Sequence, residues 1–138
     1  MKNKDQKEKL VSPDLEARLK EHLQSKESLF GKDSPFSELL QGMVNEILEG
    51  EMDAFQSEQK SSQKQNKRNG RTTKRVLSES GYLDIRTPRD RNGEFEPELI
   101  GKRQRELSSG LDQQILALYA QGNSVEDIRR LLADMYGV

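Results

Sequence analysis

Phe36, Leu39, Leu40, Met43, Val44, Ile47 and Leu48 recur with the i, i+3, i+4, i+7 spacing of one helix face, and Phe55 extends the pattern. This is the strongest helical signal in the chain. Ser34-Pro35 offers the start, because proline is well placed in a first helical turn. Glu38, Glu46, Glu49 and Glu51 lie on the other face. Only 31% of the 138 residues are hydrophobic and 34% are charged, so the stripe has few partners elsewhere in the chain. Two outcomes follow: self-association through the stripe, or packing on a preceding helix as a hairpin. A chain this polar is not expected to bury one large core along its whole length, but to form small folded units with some disorder.

The rest of the chain divides by texture. Residues 1–33 form a charged, partly disordered segment, within which Ser12-Pro13 starts a possible helix from Pro13 to Leu29 with Leu15, Leu19, Leu23 and Phe30 along one stripe and Gly31 as its stop. Residues 34–57 hold the amphipathic helix. Residues 58–71 are Ser, Gln, Asn and basic side chains and read as a linker. Residues 72–97 carry a β-hairpin around Ser80-Gly81: Leu83, Ile85 and Thr87 alternate with Tyr82, Asp84 and Arg86. Pro88 is expected to stop that ladder, and Arg91-Asn92-Gly93 to turn the chain. Residues 98–138 read as helical, first a basic helix from Glu98 to Leu107. Leu111, Ile115, Leu118 and Tyr119 then form a stripe broken at Gly122-Asn123. Ser124 with Asp127 makes a capping-box-like start to a last helix bearing Ile128, Leu131, Leu132, Met135 and Tyr136. The fold class predicted is mainly α with a small β-hairpin, α+β, ending in a helix-turn-helix-like pair.

Several functions are excluded or disfavoured by residue type. There is no cysteine for a disulfide or a thiolate metal site, and His22 is the only histidine. The sequence contains no apolar run long enough to span a membrane and no hydrophobic signal peptide, which predicts a cytoplasmic protein without a membrane partner. Asp84, Asp90, Asp112 and Asp127 are not brought together by spacing, so a metal-dependent nuclease site in this chain is rejected. Net charge is −1, but Lys60 to Arg105 holds 13 basic side chains against 6 acidic ones. A near-neutral total therefore hides a basic middle that would attract phosphates.

Four blocks in fixed order carry a resemblance: "LLQGMVNEILEGEMDAF", "NKRNGR", "GYLDIRTPRDRNGEFEPELI" and "ILALYAQGNSVEDIRRLLADMYGV". Together they resemble the N-terminal region of bacterial insertion-sequence transposases of the Mutator type, from about Leu39 to Val138. The resemblance implies DNA binding to the ends of an insertion sequence, in transposition and DNA recombination. It also implies a ribonuclease-H-like catalytic domain in which three acidic residues hold divalent metal, magnesium in kind, beyond these residues. The chain is thus expected to be truncated before that core and inactive alone, with no cofactor of its own. It also stops where a third, groove-entering helix would follow. A stand-alone DNA-binding regulator that pairs with full-length transposase is the alternative.

The resemblance gives the basic residues a role. Arg89 and Arg91 lie two apart, so in extended chain both project to one side and Asp90 to the other. Guanidinium groups bind phosphate oxygens in a bidentate fork. Lys67, Arg68, Arg71, Lys74, Arg75, Arg89, Arg91, Lys102, Arg103 and Arg105 are the expected contacts to a duplex backbone, with Phe95 anchoring the loop to the small hairpin. The competing reading pairs Asp90 with a neighbouring arginine and makes the loop a simple connection. Arg129 and Arg130, on the outward side of the last helix, are candidates for phosphate contact or a solvated helix face.

Overall fold

The computed structural model describes residues 12–25, 35–79 and 81–135; Phe30, Gly31, Ser34, Tyr136 and the side chain of Leu23 lie outside the described residues. The chain runs helix, helix, two strands, helix, helix. Helix α1 is Pro13–Ser25, and Ser12 caps it as its sequence suggests: the Ser12 hydroxyl accepts the Leu15 N–H at 3.1 Å. Helix α2 is Pro35–Ser61. Strands β1, Arg68–Ser78, and β2, Gly81–Asp90, pair antiparallel, and helices α3, Leu111–Ala120, and α4, Val125–Met135, follow.

The apolar stripe of α2 organises everything else. Leu39, Leu40, Met43, Val44, Ile47, Leu48 and Met52 are buried, and the helix packs on α1, β2, α3 and α4. All but Met52 join Val76, Leu83 and Ile85 of the hairpin, Ile100 and Leu107 of the next segment, and Ile115, Ile128 and Leu132 in one continuous core. Leu39 to Leu48 of the stripe are thus covered within the chain, while Phe36 and Phe55 at its ends are partly buried. α2 also covers the outer edge of β2. The Asp84 N–H donates to Gln41 Oε1 at 2.9 Å, Asn45 Nδ2 donates to the Asp84 carbonyl at 3.3 Å, and the Arg86 N–H donates to Asn45 Oδ1 at 2.9 Å. Two side-chain amides thus satisfy backbone groups that an uncovered edge strand would leave open.

Three sequence expectations fail for identifiable reasons. The polar stretch 58–71 is structured at both ends. α2 runs on to Ser61, and the Lys64 N–H donates to the Gln59 carbonyl while Gln63 N–H donates to that of Lys60, with Gln63 at φ 58. That is a Schellman closure built on glutamine rather than glycine. β1 then begins at Arg68. Pro88 does not end the ladder: it pairs with Arg71 and β2 continues to Asp90. Proline is tolerated there because the register shifts between Arg68 and Arg71, where Gly70 at φ 71 lets the chain bulge.

The largest departure is residues 98–107, which are not a helix. The Leu77 N–H donates to the Arg105 carbonyl at 2.9 Å and the Leu107 N–H to the Leu77 carbonyl at 2.8 Å, so the segment lies along β1 as a short parallel bridge. Gly101 disfavours a helix by about 1 kcal/mol. The carbonyls of Gly101, Lys102 and Gln104 instead accept from Lys74 Nζ at 2.8, 3.3 and 2.8 Å. A lysine 27 residues upstream in the chain of Gly101 gathers these carbonyls around a turn closed by the Gln104 N–H donating to the Gly101 carbonyl.

The last two helices follow their sequence signals. Gly122, at φ 97, and Asn123 close α3, the latter's N–H and side-chain amide both donating to the Leu118 carbonyl. Ser124 and Asp127 exchange hydrogen bonds at 3.1 and 3.2 Å, a capping box.

Candidate nucleic-acid interface

The turn after β2 is built around one carboxylate. Asp90 is 5% exposed, and its oxygens accept Asn66 Nδ2 at 2.8 Å, the Glu94 N–H at 2.9 Å and the Phe95 N–H at 3.2 Å. Burial pulls this carboxyl up, but those donors outweigh burial and hold it below the ordinary aspartate range. The Asn66 side chain also accepts the Asn92 N–H at 3.2 Å, and the Arg91 N–H donates to the Lys67 carbonyl at 2.7 Å. Gly93, at φ 67, completes the turn. Below it Phe95, 4% exposed, packs not on the hairpin, as expected, but at a 53° tilt against Phe55 of α2, ring centroids 5.3 Å apart.

Asp90 is therefore turned inward without an arginine partner, while Arg89 and Arg91 on either side of it are exposed. The period-two alternation expected from sequence holds through this point. Among the described residues neither arginine has an acidic partner, and neither do Lys67, Arg103 and Arg105, all exposed. Arg89, Arg91, Lys102 and Lys74 line one groove, with Asn69, Thr72 and Thr87 beside them.

The other basic candidates are placed differently. Arg68 bonds Glu49 at 3.0 Å and also Asp53; Arg71 Nε bonds Glu49 at 2.9 Å. Burial raises the Glu49 carboxyl, yet the two guanidiniums more than offset it and leave it below its usual range. Arg75 lies over the Tyr82 ring at 5.8 Å and 3.4 Å from Asp84. Lys74 spends its ammonium protons on backbone carbonyls; desolvation, then the nearby Arg105 charge, lower its pKa. In α4, Arg129 Nε donates to Glu126 at 3.0 Å, and Arg130 lies 3.4 Å from the same carboxylate. Arg129 also presses on α2: a Cβ at Gly50 would stand 2.8 Å from its Cδ.

Sequence reasoning missed the residues that hold this face, above all Asn66, Glu49 and Asp53. Asn66 had a weak signal: an asparagine just before a strand is well suited to bonding turn backbone. Among the described residues no three His, Asp or Glu side chains are grouped to hold a metal ion, and no helix is long and apolar enough to cross a membrane.

Comparison with known proteins gives the lineage. Residues 13–138 match the family model described as transposase, Mutator family. The chain is 35% identical over 111 residues to a probable transposase for insertion sequence element ISRM3-like from Sinorhizobium fredii, covering 80% of this chain and 28% of that protein. It is 34% identical over 111 residues to the transposase for insertion sequence element ISRM3 from Rhizobium meliloti, again covering 80% and 28%. A transposase for insertion sequence element IS1201 from Lactobacillus helveticus is 33% identical over 102 residues, 71% of this chain and 27% of that protein. The chain thus spans little more than a quarter of the length of these relatives. It belongs to the Mutator family of transposases.

Proposed function

We propose that these residues form the DNA-binding N-terminal part of a transposase, docking on the backbone of duplex DNA at insertion-sequence ends. One observation carries the reading: Arg89 and Arg91 are exposed and without acidic partners on a turn whose own polar groups are satisfied by Asp90 and Asn66. A solvated connection needs no buried carboxylate to shape it. A phosphate-binding turn does, because donors fixed in advance lose little freedom on binding. Arg103 and Arg105, on the segment pinned to β1, extend the same positive surface. α3 and α4 are proposed as the supporting pair of a helix-turn-helix, with Arg130 beside the backbone and Arg129 chiefly bracing α4 on α2. Metal-dependent strand transfer is not assigned to any residue in this chain.

The test is duplex binding by the 138-residue chain across a salt series. The reading expects log affinity to fall linearly with log salt, with a slope near −0.9 per phosphate contact. Binding that ignores salt, or none at low salt, defeats it.

A further inference from the structure

Arg89, Arg91 and Lys102 come from β2, the turn after it and the segment along β1, yet all line one groove of about 450 Å³. Asn69 and Thr72, at the bulged start of β1, and Thr87, opposite Thr72 in the register, line it too. We infer that this groove is a pocket for a single phosphate group of a nucleic-acid strand, bound by Arg89, Arg91 and Lys102 with Asn69 and Thr72 as neutral donors. The inference rests on the DNA-binding reading and narrows it to one recess.

The charge balance favours an oxyanion. The one carboxylate in the lining, Asp90, already accepts three hydrogen bonds from Asn66, Glu94 and Phe95. Lys102 Nζ donates to the Gly93 carbonyl at 3.3 Å and stands 3.9 Å from Glu96, so it is held at the rim with protons to spare. Lys74 adds positive charge but no free donor, since its ammonium serves three carbonyls. The Thr87 hydroxyl is shut from water and has no hydrogen-bond partner in the protein. A groove with four cations, three of them with donors to offer, neutral donors and a spent carboxylate has the chemistry of a phosphate site. The phosphate has two possible sources, an internal diester or the monoester at a strand terminus.

The whole chain, labelled with nitrogen-15, is titrated with inorganic phosphate against chloride at constant ionic strength. Saturable movement of the Thr72, Thr87 and Gly93 amides is expected. Arg89→Gln with Arg91→Gln should abolish saturation, and Lys102→Met should weaken it roughly tenfold. Lys20→Gln on α1 should change nothing. All these side chains are exposed, so the variants should fold, and an unchanged amide spectrum away from the groove verifies that. Non-saturating shifts, or an unaltered midpoint in the double variant, overturn the pocket. Duplexes with 5′-phosphate, with 5′-hydroxyl and as a closed circle then locate the source. A larger response to the 5′-phosphate identifies the terminal monoester, and equal responses identify internal diesters. Salt-dependent duplex binding that leaves these amides still sinks the pocket and spares the DNA-binding reading. A filled pocket with no duplex binding does the reverse.

Discussion

The basic start of β1 and the basic turn after β2 are direct neighbours, since Arg68 pairs with Asp90 in the register, yet they hold their charges in opposite ways. Arg68 and Arg71 are tied to Glu49 and Asp53 on α2. Among the described residues Arg89 and Arg91 have no acidic partner, and Asp90 between them is turned inward to hold the Glu94 and Phe95 N–H groups and the Asn66 amide. Both regions carry closely spaced arginines. What differs is whether the acid goes to a side chain or to the main chain, and that decides which cations remain available for a ligand.

The most damaging way to break this contrast is to remove the support of the turn. Phe95→Ala deletes a buried ring packed against Phe55 and should cost about 3 to 5 kcal/mol. Denaturant unfolding checks it; a loss under about 1 kcal/mol would mean that the turn is not anchored through this ring.

Next comes the contrast itself. Arg89→Gln with Arg91→Gln should lower duplex affinity on the order of a hundredfold and reduce the salt slope by about 2. Arg68→Gln with Arg71→Gln should reduce the slope by less than about 1, because those guanidiniums already serve Glu49 and Asp53. Anisotropy titrations at several salt concentrations compare the pairs. Equal losses would erase the distinction.

Lys74→Met sharpens it from the other side, since this lysine sits in the same groove yet spends its donors on Gly101, Lys102 and Gln104. Stability should fall by about 2 kcal/mol, as expected for several lost bonds to a charged group at a partly exposed site. Amide exchange should accelerate at Leu107, whose N–H bridges to Leu77. An affinity loss without any stability loss would return Lys74 to the DNA-contacting group.

These cases also show what was legible in advance. Local signals carried the helix starts at Ser12 and Ser124, the stop at Gly122 and the outward placing of Arg89 and Arg91, because each is set within a few residues. Residues 98–107 read as a basic helix because composition alone favoured it. Their course is fixed by Lys74 and by the open edge of β1, which no local window contains. The α2 stripe was found and so was α1 as one of its partners, but β2, α3 and α4, spread farther along the chain, were not. The pairing of Arg68 with Glu49 and Asp53 was hidden for the same reason.

The smallest effect concerns a carboxylate that resembles Asp90 in task and differs in outcome. Glu51 Oε1 accepts the N–H groups of Glu98 and Leu99 at 3.0 and 3.2 Å, while Oε2 is buried without a partner. Desolvation dominates here: it raises the carboxyl above the ordinary glutamate range despite those two donors. The sign of the pH effect follows. A raised folded pKa means that the folded state binds the proton more tightly, so ionising Glu51 costs stability at neutral pH, and the penalty shrinks as pH falls through the folded pKa and is gone below the unfolded one. Glu51→Gln keeps an acceptor for both N–H groups and removes the buried charge. It should be slightly more stable than the parent at pH 7, with the difference shrinking toward acid. Asp90→Asn should behave oppositely, because a depressed pKa supplies stability above the unfolded value and loses it as pH falls through the folded one. Parallel pH profiles from the two variants would show that these carboxylates, one met by three donors and the other by two with an oxygen left bare, are not electrostatically distinct.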